Sequence, residues 1–251
     1  MDNTQGINYE GVKWVWFDLD DTLCDFHAAS DTALAAVYDR FNLKRFFATC
    51  DQWAEVYHRH NARLWELYNH AQIEKPTLKT ERFVAPLVEG GADAKTAGDL
   101  AMKLDPAYLS LMAGNCVAFD DAADLLRSMR GRGLKIGILS NGFTEVQYDK
   151  IANCGLADLV DSVVLSDEIG INKPDRRLFD HALKKASTTA DESLMIGDNP
   201  ATDIAGAINA GWRAILVDRD AEPGADDDKP RCPVVNSLTA LTPPPPTPST
   251  P

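Results

Sequence analysis

The sequence predicts an α/β protein built on a parallel sheet, with a helical insertion after the first strand. Short apolar runs recur along the chain, at WVWF (14–17), LKIGIL (134–139), SVVL (162–165), SLMI (193–196) and RAILV (213–217). Helical patterns separate the later runs, and a much longer interval follows the first run. Such alternation is typical of βαβ units, in which helices cover both faces of a parallel sheet.

The first apolar run continues directly into three carboxylates, Asp18, Asp20 and Asp21. Four apolar residues followed by turn-prone residues indicate a buried strand of a parallel sheet. Acids clustered at a strand end repel one another and lose hydration, so each tends to take up a proton unless a cation is supplied. This strand end is therefore a candidate site for a bound cation.

The interval from 28 to 112 is predicted to be helical throughout and to form a separate cap domain. Apolar residues recur at helical spacing in SDTALAAVYDRF (30–41) and again in DQWAEVYHRHNARLWELY (51–68). The second segment carries four aromatic residues that we expect in the cap core, namely Trp53, Tyr57, Trp65 and Tyr68. Several helices inserted after the first strand predict a lid over the sheet.

The rest of the chain is predicted to return to the sheet through further helices. These lie at 120–133, 143–153, 174–187 and 200–210, and Pro174 suits the first turn of the third helix. The segment EPGADDDKPR (222–231) has the composition of a surface loop.

Together these elements predict a Rossmann-like core with an inserted helical cap domain. The core comprises residues 1–27 and 113–241, and the cap comprises residues 28–112. Residues 242–251 form a proline-rich tail that we expect to be disordered, because that composition cannot pack.

Composition and charge limit the classes of function. The 251 residues are 45% hydrophobic and 25% charged, and the apolar runs are only as long as strands, which excludes a membrane span. The five cysteines are widely spread, and no secretory signal is visible, so we expect a cytoplasmic protein. A net charge of −13 argues against binding a nucleic acid polymer but allows a small phosphorylated substrate.

Polar residues follow several of the predicted strands at their carboxyl ends. Asp18 and Asp20 follow the first apolar run, Ser140 follows the second, and Asp198 follows the fourth. Ligands of open α/β sheets bind beyond the carboxyl ends of the strands, so we expect these side chains at one edge. Lys173 comes shortly after the third run and is expected at the same edge.

This set of residues predicts a magnesium site. A divalent cation held by Asp18 and Asp198 would neutralise the acids, and ligands that are all oxygen favour Mg²⁺ over zinc. Lys173 adds a fixed positive charge. With the cation bound, Asp18 stays ionised and is a nucleophile.

Four short motifs carry a resemblance to a known family. DLDDT (18–22), LSN (139–141), Lys173 and GDNPATD (197–203) resemble, in this order, the motifs of the haloacid dehalogenase-like hydrolase superfamily. The helical insertion resembles the helical cap of that superfamily, and the similarity extends to about Leu241.

The resemblance implies covalent phosphoryl transfer. Asp18 would attack phosphorus and form an aspartyl-phosphate, and Asp20 would protonate the leaving alcohol and then activate water. Ser140 would bind a phosphoryl oxygen, and Lys173 would balance charge on the phosphate and on Asp18. Asn141 is assigned to the same substrate-binding edge, where we expect a turn residue or one that positions the backbone.

The resemblance also implies the ligands of the Mg²⁺ ion. These are Asp18, the backbone carbonyl of Asp20, and Asp198, with Asp203 in or beside the set. The alternative role for Asp203 is a favourable acid near a helix N-terminus. Asp21 is expected to serve at the surface or as a cap.

Asp20 favours a phosphatase over a dehalogenase, because the dehalogenases of the superfamily have no acid at that position. The segments DLDDTLCDF, IGILSNGFTEVQ and LSDEIGINKPDRRLFDHAL resemble the subgroup of pyrimidine 5′-nucleotidases, which implies a nucleotide substrate. The alternatives are a sugar-phosphate, N-acylneuraminate 9-phosphate or phosphoglycolate-type phosphatase, and a phosphomutase. A catalytically silent binding module is the alternative from another class.

Overall fold

The computed structural model describes residues 7–221 and 232–243. The chain divides into two compact units. The first combines Met1–Asp25, Ala118–Thr144 and Cys154–Pro251, and the second combines Phe26–Val117 and Glu145–Asn153. The sequence predicts boundaries after residues 27 and 112, and no pattern in it indicates that residues 145–153 group with the helical unit.

The first unit contains a parallel sheet. Its strands are β1 (Trp14–Phe17), β2 (Lys135–Ser140), β3 (Ser162–Leu165), β4 (Ser193–Gly197), β5 (Arg213–Val217) and β6 (Val234–Val235). Within the described residues their order is β3-β2-β1-β4-β5-β6, and every neighbouring pair is parallel. The predicted α/β fold with a Rossmann-like sheet is confirmed.

The helices of the described chain are α1 (Phe26–Arg40), α2 (Cys50–Asn69), α3 (Lys75–Glu89), α4 (Ala94–Asn115), α5 (Ala122–Gly131), α6 (Thr144–Asn153), α7 (Ser166–Ile169), α8 (Arg176–Ala186) and α9 (Ala205–Asn209). Among them, none has the combination of length and apolar character that crossing a membrane requires.

The second unit consists of α1 to α4 and most of α6. Its core contains Trp53 and Tyr57, both fully buried, as the helical spacing predicts. Trp65 and Tyr68 are only half-buried, and their ring centroids lie 5.6 Å apart. The N-terminus of α2 is capped by Thr49, whose side chain accepts a hydrogen bond from a backbone N–H of the first turn.

Some local predictions differ from the structure. Pro174 precedes α8 instead of lying in its first turn, because Asp175 accepts the N–H of Arg177 and is the N-cap. The predicted helix at 200–210 is a π-helical turn over Pro200–Ile204 followed by α9. The predicted loop at 222–231 and residues 244–251 of the tail lie outside the described residues.

Candidate active site

The sheet order brings the polar strand ends together. β1 lies between β2 and β4, with Phe17 in register with Ile138 on one side and with Ile196 on the other. The residues that follow these strands therefore meet at one edge. The strand order also changes direction between β1 and β4, which is where open α/β sheets form a ligand crevice.

Lys173 is the centre of this site. Its Nζ lies 2.5 Å from Asp18 Oδ1, 2.7 Å from Asp203 Oδ1 and 2.8 Å from the carbonyl oxygen of Leu139. An ammonium has three protons, so these three oxygens satisfy it completely. Because the side chain of Lys173 is only 2% exposed, its positive charge is fixed against the Asp18 carboxylate.

The backbone of Lys173 is held by Asn141. The Asn141 amide nitrogen donates to the carbonyl of Lys173 at 3.0 Å, and the Asn141 Oδ1 accepts the N–H of Lys173 at 2.8 Å. The neighbouring Ser140 is buried, and its Oγ accepts the N–H of Gly142 at 3.1 Å. The Asn141 side chain therefore holds the backbone of Lys173 in place.

The acids of the site are gathered at its centre. Carboxylate oxygens of Asp18, Asp198 and Asp203 all lie within 4.8 Å of one another. Thr22, which is fully buried, donates its hydroxyl hydrogen to Asp198 Oδ1 at 2.9 Å. Asp203 accepts the backbone N–H of Asn199 at 3.1 Å. The sequence suggested Asp203 as a metal ligand or a helix-terminal acid and did not anticipate its ion pair with the lysine.

Asp20 and Asp21 differ in their surroundings. Asp20 is half-buried two residues beyond Asp18, and the fully buried Leu19 lies between them in the chain. Asp21 has a φ of 57°, and its N–H donates to the carbonyl of Cys24 at 2.8 Å, so it forms the turn that closes the loop. Both residues are half-buried, and the charge of Asp20 adds to the raised pKa of Asp18 whereas that of Asp21 adds to the raised pKa of Asp198.

The pKa values show an excess of negative charge. Burial raises the pKa of Asp18 well above its ordinary value; Lys173 opposes the rise, and the carboxylates of Asp203, Asp198 and Asp20 add to it. Burial, assisted by Asp203, raises the pKa of Asp198 to about 7 against the opposing hydrogen bond from Thr22. One lysine thus does not compensate the buried acids.

Lys173 nevertheless remains charged. Burial lowers the pKa of its ammonium, but the charges of Asp18 and Asp203 outweigh that effect, and the pKa is raised overall. A buried set of carboxylates with one fixed cation fits a second, divalent cation, and a donor set made only of oxygen suits Mg²⁺.

Comparisons with known proteins agree with this geometry. A family model described as haloacid dehalogenase-like hydrolase matches residues 12–211. The chain is 34% identical to the pyrimidine 5′-nucleotidase YjjG of Escherichia coli over 200 residues, which cover 79% of this chain and 82% of that protein. It is 31% identical to the phosphoserine phosphatase of Thermus thermophilus over 238 residues, 87% of this chain and 94% of that protein.

Among solved structures, the chain is similar to the HAD-hydrolase YfnB of Bacillus subtilis bound to magnesium. The TM-score is 0.78 at 25% identity, and the similarity covers 92% of this chain and 96% of that chain. The sheet and the helical insertion therefore recur together in a related hydrolase.

Proposed function

This chain belongs to the haloacid dehalogenase-like hydrolase family and is a phosphatase of that family, and from that premise we propose that it hydrolyses nucleoside 5′-monophosphates with Asp18 as the nucleophile. The observation that carries the assignment of Asp18 is its contact with the buried ammonium of Lys173 at 2.5 Å. The fixed cation orients the Asp18 carboxylate for attack, and a bound divalent cation would oppose its raised pKa and keep it ionised.

The first half of the proposed reaction transfers the phosphoryl group to the enzyme. An Asp18 carboxylate oxygen forms a bond to phosphorus, the bond from phosphorus to the 5′ oxygen breaks, and Asp20 donates its proton to the departing oxygen. The products are the nucleoside and an aspartyl-phosphate. Asp20 suits this role because it is half-buried and lies close enough to Asp18 for its charge to add to the raised pKa of that group.

The second half releases phosphate. Asp20, now ionised, accepts a proton from a water molecule while the oxygen of that water forms a bond to phosphorus. The bond between phosphorus and the Asp18 oxygen breaks, which regenerates the carboxylate and frees inorganic phosphate. Ser140 donates a hydrogen bond to a phosphoryl oxygen, and Lys173 balances the negative charge throughout.

We propose Mg²⁺ as the cofactor. Asp18, Asp198 and the backbone carbonyl of Asp20 would hold the ion, with Asp203 in or beside that set. When bound, it neutralises charge on the phosphoryl oxygens and on the carboxylates. The clustered carboxylates support this assignment, as does the similarity to a hydrolase solved with magnesium.

The substrate class rests on the relatives. The similarity to YjjG, a pyrimidine 5′-nucleotidase, supports a nucleoside monophosphate. The similarity to a phosphoserine phosphatase covers more of both chains and favours phosphoserine as a second candidate. We propose that the helical unit is the cap that selects the leaving group. We also propose that the protein is cytoplasmic.

Phosphate release from a panel of monoesters tests this function. The panel contains UMP, dUMP, dTMP, phosphoserine, N-acylneuraminate 9-phosphate, phosphoglycolate and sugar phosphates. We expect the highest kcat/KM with a pyrimidine nucleotide, and the Asp18→Asn variant should release no phosphate from any of them. Turnover by that variant contradicts the role of Asp18. A higher kcat/KM with phosphoserine or a sugar phosphate contradicts the proposal of a nucleotide substrate.

The matched control is Asp21→Asn. Asparagine tolerates the positive φ of this turn, so the loop keeps its shape. Because Asp21 only adds to the raised pKa of Asp198, turnover should persist with a modest change. If both variants were equally inactive, the loss would reflect the loop rather than the nucleophile.

A further inference from the structure

A contact from Arg219 supports the loop that follows β1. Arg219 lies just beyond the end of β5, and its guanidinium donates to the carbonyl oxygen of Thr22 at 3.1 Å. Its Cζ is 3.5 Å from the centroid of the Phe119 ring. The N–H of Phe119 in turn donates to the carbonyl of Leu23 at 3.0 Å, so the ring is tied to the same loop.

The guanidinium is oriented by these two contacts. Among the described residues, the buried Nε of Arg219 has no hydrogen-bond partner. The guanidinium is therefore not held in this orientation by hydrogen bonds from all of its N–H groups. A planar cation can stack on a ring and donate in its plane at the same time, which an ammonium cannot do. The arrangement therefore fixes the carbonyl of Thr22 in place.

Thr22 transmits this position to the acids of the site. Its hydroxyl donates to Asp198 Oδ1 at 2.9 Å, and the whole residue is inaccessible to solvent. A shift of the Thr22 backbone would move the hydroxyl and change the orientation of that carboxylate.

We propose that Arg219 is a positioning residue for the cation site, acting through Thr22 on the Asp198 carboxylate. The inference rests on the proposed function, since it assumes that Asp198 is a ligand of Mg²⁺. Residues that orient metal ligands from outside the ligand set commonly contribute 10- to 100-fold to affinity.

Titration of the metal-free protein with Mg²⁺ by isothermal calorimetry tests this role without measuring turnover. We expect Arg219→Met to weaken Mg²⁺ binding by about tenfold. Arg219→Lys should also weaken it, although it keeps the charge. If Arg219 acted only through its charge, its removal would relieve repulsion and strengthen Mg²⁺ binding, which would overturn the proposal.

Arg213 provides the matched control. It lies at the opposite end of β5, and its guanidinium donates to the carbonyls of Asn8, Glu10 and Asp191. Arg213→Met should lower Tm while leaving the Kd for Mg²⁺ unchanged. If Arg219→Met does the same, Arg219 is only a structural residue and the proposal is wrong.

A double-mutant cycle shows whether the effect passes through Thr22. In a Thr22→Val background, which lacks the hydroxyl, Arg219→Met should change the Kd by no more than roughly twofold. Full additivity of the two substitutions contradicts an effect of Arg219 that passes through Thr22.

Asp198→Asn separates the two proposals: if the wild type binds Mg²⁺ and Asp198→Asn abolishes binding, the metal site stands whatever Arg219→Met does. If the wild type does not bind Mg²⁺, both proposals fail.

Discussion

At the scale of single residues, Gly197 shows how closely the site is built around its acids. It is the last residue of β4, and a Cβ added to it would lie 2.2 Å from Asp203 Oδ2. No pair of non-bonded heavy atoms tolerates that distance, so any side chain here displaces the Asp203 carboxylate. The absence of a side chain at Gly197 is thus a condition for the contact between Asp203 and Lys173.

We therefore expect Gly197→Ala to destabilise the fold by about 1–3 kcal/mol, as overpacking in a core does, and to reduce turnover because the acid moves. Urea unfolding and phosphate release measure the two effects. Gly98→Ala is the control: no heavy atom of the described chain lies within 4 Å of the added Cβ, other than its own helix and neighbours. Since Gly98 lies inside α4, alanine at this position should raise the free energy of unfolding by up to about 1 kcal/mol. Equal stability of Gly197→Ala and wild type would contradict the packing argument.

The sequence indicates that Asp18 and Lys173 lie together, but it does not indicate the partners of Asp203 and Arg219. Asp18, Ser140 and Asp198 each follow an apolar run, so the sequence alone indicates that they share an edge. The partner of Asp203 depends on a π-helical turn over Pro200–Ile204, whose five residues are too few to show a period. The contact of Arg219 with Thr22 joins residues far apart in the chain and has no local signal at all.

At the scale of elements, α6 is tied to α3 by charge. Glu145 in the first turn of α6 lies 2.9 Å from Lys75 Nζ and 3.1 Å from Lys79 Nζ. Burial raises the pKa of Glu145, but the hydrogen bonds from the two lysines outweigh it and lower the pKa to about 2. Its carboxylate is 45% exposed, so solvent screens part of the contribution.

The contacts of Glu145 with the two lysines predict a pH-dependent stability of the helical unit. A depressed folded pKa means that the carboxylate stabilises the fold above its unfolded pKa of 4.5, and that the contribution disappears as the pH falls towards about 2. Glu145→Gln should therefore lower the urea midpoint at pH 7, and the difference from wild type should shrink at about pH 3.

The control for this prediction is Asp149→Asn, one helical turn later. Among the described residues, Asp149 forms no ion pair, so its replacement should leave the urea midpoint nearly unchanged at both pH values. A difference between Glu145→Gln and wild type that grew as the pH fell would reverse the sign of the argument.

The elements themselves were predictable where their pattern was long or their ends were marked. The runs 14–17 and 162–165 coincide with β1 and β3, because polar residues flank each of them. The run 213–217 coincides with β5, which begins with Arg213 and ends before Asp218. β6 was missed, since Val234–Val235 is too short for a pattern. The start of α8 was predicted too early because the Asp175 cap outweighs the preference of Pro174 for a first turn.

At the scale of the whole molecule, the strand order accounts for the site more than any single motif. The sequence indicates which strands end in polar residues, but only the order places β1 between β2 and β4. That order puts the strand ends that carry Asp18, Ser140 and Asp198 next to one another, and the loop before α8 adds Lys173. Hydrogen bonding between strands distant in sequence determines the order, and no local pattern encodes it.

The chain as a whole carries a net charge of −13, and part of that excess is buried at one sheet edge. Mg²⁺ that binds only the folded chain should therefore stabilise it, by about 2.7 kcal/mol at a concentration of one hundred times Kd. For a chain of this size we expect Tm to rise by several degrees, and EDTA should reverse the rise. Any salt screens the repulsion within an acidic protein, so NaCl at equal ionic strength must be compared. If NaCl raises Tm as much as Mg²⁺ does, or if Asp198→Asn responds like the wild type, the effect is general screening and the cation does not bind at the proposed site.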